Sequence, residues 1–343
     1  MIKLNLMNQN KKIFITGGTG FFGKWIIKTH SKFFSTFNVK LFILCRNLNK
    51  FKNSFLELKN FRNINLIKGD IRNFAFLKEK FDFVIHCAMP SNYENFPKDE
   101  ILDIGINGTK RVIEFAKFCG AKRLLFISSG VVYGSQPSHI EKISEKDVGF
   151  VQLDPKNPKT YYAEAKRIGE LLCFSAFYKG ELDIVIARCF SFIGPYIKLD
   201  AHLAVGNFIR DALKGGPIVI KSDGTKINSY MYAEDLGVWL WTILLKGKSG
   251  EVYNVGSEKG LSLKELAEKI AEISEKVLKL NKKPKVIIQK KLDPEKIPER
   301  YVPSTKKVRK ELGLKENTSL EEAIEKTIKF YQTFQGALPD SQR

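Results

Sequence analysis

The segment Lys12-Ile13-Phe14-Ile15-Thr16-Gly17-Gly18-Thr19-Gly20-Phe21-Phe22-Gly23 constrains this chain more than any other. A short, continuously apolar, β-rich run ends at Thr16, and helical character begins at about Phe21. Between them, glycines at 17, 20 and 23 supply a tight turn, close backbone approach to a phosphate and close packing of helix on strand. Amides at the start of a helix face an anion favourably, and the helix dipole adds to that. Gly17, Thr19, Gly20, Phe21, Phe22 and Gly23 are therefore the candidate cradle for a dinucleotide pyrophosphate.

The rest of the chain repeats the strand–helix alternation. Apolar runs recur at Lys40–Leu44, Asn65–Ile67, Phe83–His86, Arg123–Ile127 and Asp183–Ala187, with helical stretches at Lys24–Lys32, Ile101–Phe118 and Tyr161–Tyr178. Continuous rather than alternating apolarity marks strands covered on both faces. The expected fold is α/β: a Rossmann-type doubly wound parallel sheet with a smaller C-terminal α/β substrate-binding portion. We place the first domain at 1–190 and the second at 191–334, with the chain crossing between them, and a flexible tail at 335–343. In the second part the spacing predicts helices around Val205–Lys214, Ala233–Lys246 and Leu261–Leu278, and one from Asn317 or Thr318 to Phe334. Ser262 and Glu265 form an expected capping box. A short strand is expected at Ile218–Lys221.

The end of the second strand, Cys45-Arg46-Asn47, has no carboxylate to bind the adenosine ribose, and Arg46 suits a 2′-phosphate. This favours NADP(H), with NAD(H) the alternative. Asp70 and Ile71 follow the third strand, where a carboxylate can accept from an adenine amine. Cys87 and Ala88 follow the fourth, beside the cofactor path, and His86 there reads as a packed histidine. Ser128 and Ser129 lie just past an apolar strand, at the edge where open α/β sheets bind ligands. Some thirty residues on, Tyr162 and Lys166 share one helix face at i and i+4. An ammonium beside a phenol lowers its pKa, and Ser129 adds a hydroxyl for the same substrate oxygen.

Together these residues resemble the extended short-chain dehydrogenase/reductase family, the NAD(P)-dependent sugar-nucleotide epimerases, dehydratases and reductases. The similarity runs from the glycine loop to Arg300-Tyr301-Val302-Pro303-Ser304 and on to Gly313. It implies a catalytic Ser129, an acid–base Tyr162 and a Lys166 that binds the nicotinamide ribose. It also implies a cofactor-side Asn107, a nucleotide-sugar substrate near Ser191, Asn207 and Arg300, and a homodimer pairing Ile101–Phe118 with Tyr161–Tyr178. Ile101, Ile104, Val112, Phe115 and Phe118 supply more apolar surface than one sheet-facing stripe needs. Gly130 and Val131 stand where the family's dehydratases carry an acidic pair, its decarboxylases a glutamate and its 3,5-epimerases a cysteine. Asn228 stands where many members hold phosphate with arginine. The leading expectation is thus an NADP(H)-dependent reductase of a nucleotide-linked 4-keto-6-deoxyhexose with Tyr162 as proton donor. The alternatives are a 4-epimerase, or a 4,6-dehydratase drawing its extra acid–base group from Glu94 or His86, each with bound NAD.

Charge is the unusual compositional feature: 57 basic against 37 acidic residues give +20. A non-catalytic basic binding protein is the distant alternative, but no nucleic-acid module accompanies the charge, so no nucleic-acid partner is expected. No apolar run is long enough to span a bilayer. The five scattered cysteines have neither a CxxC pair nor zinc spacing, so no metal is expected and a reducing cytoplasm is.

Overall fold

The computed structural model describes residues 10–33, 39–61, 63–90, 93–147, 149, 152–201, 203–293, 295 and 297–336. Six strands follow the expected runs: β1 (Lys11–Thr16), β2 (Val39–Cys45), β3 (Ile64–Lys68), β4 (Phe83–His86), β5 (Arg123–Ser129) and β6 (Ile184–Cys189). Strand Val252–Val255 pairs parallel with β6 and completes a seven-stranded sheet. Read from the β3 edge, the order is β3-β2-β1-β4-β5-β6 and then Val252–Val255, all parallel. The order reverses between β1 and β4, which opens the ligand crevice at their carboxyl ends.

Alternation along β1 divides the core. Ile13 and Ile15 face one side, with α1 (Phe21–Phe33) and the helix Ala233–Lys246. Phe14 faces the other, with α3 (Lys98–Phe118) and α4 (Pro158–Tyr178). A short helix missed in the sequence, α2 (Leu48–Ser54), follows β2 and is capped by Asn47 Oδ1, which accepts from Lys50 N at 2.9 Å. Asn157 caps α4, its Oδ1 accepting from Lys159 N at 2.9 Å, and Pro158 occupies the first turn. Aspartate and glutamate at 99 and 100 favour the start of α3.

The sheet takes both a strand and a covering helix from beyond residue 190, so the two parts interleave along the chain. The second part has its own core, with Val205, Phe208, Ile218, Leu266, Ile270 and Ile324 among its members. Its helices are Ala204–Leu213, Leu263–Leu278 and Leu320–Gly336. The Ser262–Glu265 capping box is present. Asn317 and Thr318 do not start the last helix: their backbone amides donate to Asp235 Oδ2 at 3.1 and 3.0 Å, and Ser319 Oγ accepts from Glu322 N at 3.1 Å. That helix runs through Gln335 and Gly336, and the remainder of the expected tail, 337–343, lies outside the described residues.

The apolar residues of α3 are not surplus. Ile101, Ile104, Val112 and Phe115 are buried in the chain's own core, and of the five only Phe118 is exposed. On α4, Leu171 and Tyr178 are the exposed large apolar side chains. No helix among the described residues is long and apolar enough to cross a membrane.

Candidate active site

Gly17 adopts φ +71°, and a β-carbon there would stand 2.5 Å from Ala88 N. The turn after β1 is therefore pressed against the chain leaving β4, and only glycine permits both the angle and the approach. A β-carbon on Gly23 would fall 2.2 Å from Gly18 Cα, so α1 closes directly on the loop. Thr19 and Gly20 are exposed at the mouth, while Phe21 and Phe22 open the helix half-buried. This is a backbone cradle that a side chain would fill, and it fits a dinucleotide pyrophosphate.

Around the cradle, Arg46 is exposed just past β2. Asp70 is already engaged: its Oδ1 accepts from Arg72 N and Nε at 3.0 and 2.8 Å, and its Oδ2 from Arg72 NH2 at 3.0 Å. That hydrogen bonding keeps its carboxyl below the usual range, with the charge of Arg46 adding to the effect. Ile71 is buried behind it and packs near Gly108. Cys87 Sγ donates to Thr16 O at 2.8 Å, beside Ala88.

His86 is structural. Its Nε2 lies 3.0 Å from Thr109 Oγ1, whose own proton goes to Gly105 O, and its Nδ1 lies 2.9 Å from Thr16 Oγ1. That order makes the ring a neutral Nε2–H tautomer, and burial lowers its pKa to about 3. His86 therefore cannot serve as the extra acid–base group that a dehydratase would need. Glu94, the other candidate for that part, is exposed on the short turn Tyr93–Asn95.

Ser129, Tyr162 and Lys166 converge where β5 ends against α4. Tyr162 is half-buried, and Tyr93 covers its ring at 4.9 Å between centroids and 31°. Burial raises the Tyr162 phenol above its ordinary value, Tyr93 adds to this, and the Ser129 hydroxyl works the other way. Lys166 Nζ donates to Ile127 O at 2.6 Å, and burial lowers it to about 8. The Lys166 ammonium thus serves a backbone carbonyl, and burial is the largest influence on the Tyr162 phenol.

Two cofactor-side expectations are corrected. Asn107 lies on the exposed side of α3 and donates to Asp103 Oδ1 at 2.7 Å. The face of α3 that meets α4 is carried by Gly105, whose added β-carbon would stand 2.5 Å from Ala165 Cβ. Ser128 is buried, and its hydroxyl donates inward to Glu170 Oε1 rather than toward a cofactor. Glu170 also receives Arg188, through Nε to Oε1 at 2.9 Å and NH2 to Oε2 at 2.6 Å. The spacing of Tyr162, Lys166 and Glu170, four residues apart each time, held the signal for this partner.

On the substrate side, Ser191 is half-buried and its backbone carbonyl accepts from Met231 N at 3.1 Å. Asn207 is half-buried, with Arg210 NH1 3.4 Å from its Oδ1. Arg300 is half-buried and pairs with Ile227 in the strand Arg300–Tyr301. The structure also brings in Phe190 and Tyr301, which the site reading had not used.

The model of the NAD dependent epimerase/dehydratase family matches residues 13–256. The chain belongs to this family. Among curated relatives, the dTDP-D-glucose 4,6-dehydratase of Dictyostelium discoideum is 30% identical over 77% of this chain and 62% of its own length. The chain thus spans less than two thirds of that relative. UDP-glucuronic acid decarboxylase 6 of Arabidopsis thaliana is 26% identical over 92% of this chain and 87% of its own. The solved UDP-glucose 4-epimerase of Thermotoga maritima superposes with TM-score 0.76 at 21% identity, covering 94% and 99% of the two chains. A UDP-glucuronic acid 4-epimerase of Bacillus cereus, solved with NAD, gives 0.75 at 22%, covering 94% and 99%. At such identities these epimerase/dehydratase structures share the fold.

Proposed function

We propose that this family member is a nucleotide-sugar 4-epimerase that keeps NAD(H) bound through its cycle. One observation carries the reading: Ser129, Tyr162 and Lys166 are intact, while Gly130 and Val131 immediately after Ser129 offer no carboxylate. Dehydration or decarboxylation of the sugar needs a second proton-moving or orienting group, whereas exchange at C4 needs only the hydroxyl chemistry present. The named relatives favour the epimerase and dehydratase readings over the 4-ketoreductase expected from the sequence.

Gly17, Thr19, Gly20, Phe21, Phe22 and Gly23 would hold the pyrophosphate, Asp70 and Ile71 the adenine end, and Cys87, Ala88 and Lys166 the nicotinamide end. The bound dinucleotide supplies reversible hydride acceptance at the sugar C4. Tyr162 takes the proton of the 4-hydroxyl and returns one to the 4-oxygen. Ser129 hydrogen-bonds that oxygen, and Lys166 fixes the end of β5 through Ile127 O. Ser191, Asn207 and Arg300 are proposed to hold the nucleotide sugar, and Leu171, Tyr178 and Phe118 to meet a second copy of the chain.

The test incubates the purified chain with UDP-glucose, UDP-galactose, UDP-N-acetylglucosamine, UDP-glucuronate and dTDP-glucose and identifies products by NMR. A C4 epimer without added cofactor is expected. A product that has lost water or carbon dioxide would overturn the proposal. A second reading, NADPH-dependent 4-keto reduction, is favoured by exposed Arg46 and the absence of a carboxylate beside it. Stoichiometric consumption of added NADPH with a 4-keto sugar would select it.

A further inference from the structure

The turn that follows β3 is fastened at both of its ends. Gly69 N donates to Cys45 O at 3.1 Å, which sets the turn beside the end of β2 and Arg46. Phe74 N donates back to Asp70 O at 2.8 Å and closes it. From the other side α3 grips the same turn. Arg111 donates to Phe74 O through Nε at 3.1 Å and NH2 at 2.7 Å. Ile71 packs beneath Gly108, where an added β-carbon would stand 3.1 Å from its Cγ2. One guanidinium then spans the gap. Arg72 holds Asp70 through Nε and NH2, and its NH1 donates to Asp103 Oδ2 at 3.2 Å. Glu100 Oε1 stands 3.8 Å from the same NH1, and Asn107 Nδ2 donates to Asp103 Oδ1 at 2.7 Å. Glu100, Asp103 and Asn107 are spaced three and four apart, so they form one stripe of α3 turned toward this guanidinium.

An ionised carboxylate offers about four acceptor positions. Hydrogen bonding by the Arg72 side chain is the largest influence on the Asp70 carboxyl and holds it below its ordinary value, so it is ionised and donates nothing. Among the described residues Oδ1 accepts twice, from Arg72 N at 3.0 Å and Nε at 2.8 Å, and Oδ2 once, from NH2 at 3.0 Å. One acceptor position is left, and it is on Oδ2. The planar fork of Arg72 sets the plane of the carboxylate, and Asp103 sets the fork. A fixed oxygen with one lone pair left suits a single N–H donor. It does not suit a carbonyl, which would meet it acceptor to acceptor.

We infer that Arg72 is a positioning residue of the dinucleotide site: braced by Asp103, it fixes the Asp70 carboxylate so that the one open acceptor position receives the exocyclic amine of adenine and turns away a 6-oxo base. The inference rests on the dinucleotide site proposed above, and not on which sugar reaction that site serves. Discrimination of this kind needs the carboxylate held still. A carboxylate free to turn would leave a base carbonyl to water and lose most of the difference between the two bases, whereas a preorganised one makes the wrong base lose a hydrogen bond and meet a like dipole. Arg72 itself touches neither base nor phosphate, because its donors are spent on Asp70 and Asp103.

The test titrates the full chain, freed of copurified dinucleotide, with NADH and with reduced nicotinamide hypoxanthine dinucleotide, followed by fluorescence. The wild type should prefer NADH by about tenfold, the worth of one charge-assisted hydrogen bond. Arg72→Met should weaken NADH by about three- to tenfold and leave the hypoxanthine analogue unchanged, so that the preference shrinks toward one. Arg72→Lys keeps a positive charge among Asp70, Asp103 and Glu100 but not the planar fork. It should hold the wild-type thermal midpoint and lose the preference as well, which separates positioning from folding. In an Asp70→Asn background, adding Arg72→Met should leave the ratio of the two affinities where Asp70→Asn put it. A preference that survives in Arg72→Lys, or equal weakening of both dinucleotides, would overturn the inference and leave the dinucleotide site standing. A wild type that binds both dinucleotides equally would overturn it together with the placing of adenine at Asp70, and a wild type that binds neither would overturn the dinucleotide site itself.

Discussion

Glu170 should be the most sensitive point of the site that never touches substrate. Its side chain is 6% exposed and that of Arg188 12%, with Arg188 NH2 2.6 Å from Glu170 Oε2. The guanidinium also lies over the Tyr133 ring at 4.7 Å, and the Ser128 hydroxyl donates to the same carboxylate. Glu170→Gln keeps the shape and an oxygen for Ser128 but leaves a buried guanidinium without its countercharge. Removing one partner of a buried pair costs about 3–5 kcal/mol, a factor of a hundred to several thousand in the folding equilibrium. Replacing both partners, as in Glu170→Met with Arg188→Met, removes the unpaired charge and should recover most of that loss. Urea unfolding of the wild type, Glu170→Met, Arg188→Met and the double variant closes a double-mutant cycle. We expect a coupling of about 2 kcal/mol or more. A single-variant loss under about 1 kcal/mol, or additive singles, would refute the view that this pair holds the end of β5.

Tyr162→Phe should lower turnover by roughly a hundred- to ten-thousand-fold while dinucleotide binding, followed by calorimetry, stays intact; activity within a few-fold of wild type would remove Tyr162 from its role. Arg46→Ala should weaken NADP(H) by about tenfold or more and spare NAD(H), since the exposed guanidinium can meet only the extra phosphate; equal losses in fluorescence titrations would refute that contact. Burial lowers Lys166 to about 8 from 10.5, so between those values the unfolded chain holds a proton that the folded chain has released. Stability therefore gains from this group as pH rises through that window, by up to about 3 kcal/mol, and Lys166→Met should flatten the difference in denaturant midpoints between pH 8 and pH 10. A dimer is expected by light scattering at micromolar concentration, and Leu171→Asp with Tyr178→Asp should give a monomer; a wild-type monomer would refute the pairing of these helices.

The parts of the site that were legible in the sequence are those written within a few residues of one another. A strand, three spaced glycines and a helix make the cradle by local turn geometry, so the segment Lys12 to Gly23 could be read directly. Tyr162 and Lys166 could be read because one helical turn puts them on one face, and Ser129 because it sits at a strand end. Asn107 misled because a motif match does not say which side of α3 faces inward, and Gly105 carries the face that meets α4. The partner of Lys166 was not legible for a related reason. Shared helix face brought Lys166 near, but what that ammonium bonds depends on the carbonyl of Ile127 in another element.

The sequence by itself determined the strand–helix alternation, the glycine cradle and the helix face that Tyr162 and Lys166 share, because each is set by local periodicity and turn chemistry. Tertiary structure decided which groups stand around Ser129. Tyr301, 172 positions away along the chain, reaches Gly130 only because Asn254 and Gln136 lock its strand against the loop. Val252–Val255 is too short and too polar at Asn254 to be read as a strand, yet β6 gives it a partner and the sheet its seventh member. Hydrogen-bond register between distant segments is fixed by burial and pairing once the chain has closed on itself, and no spacing along the sequence records it.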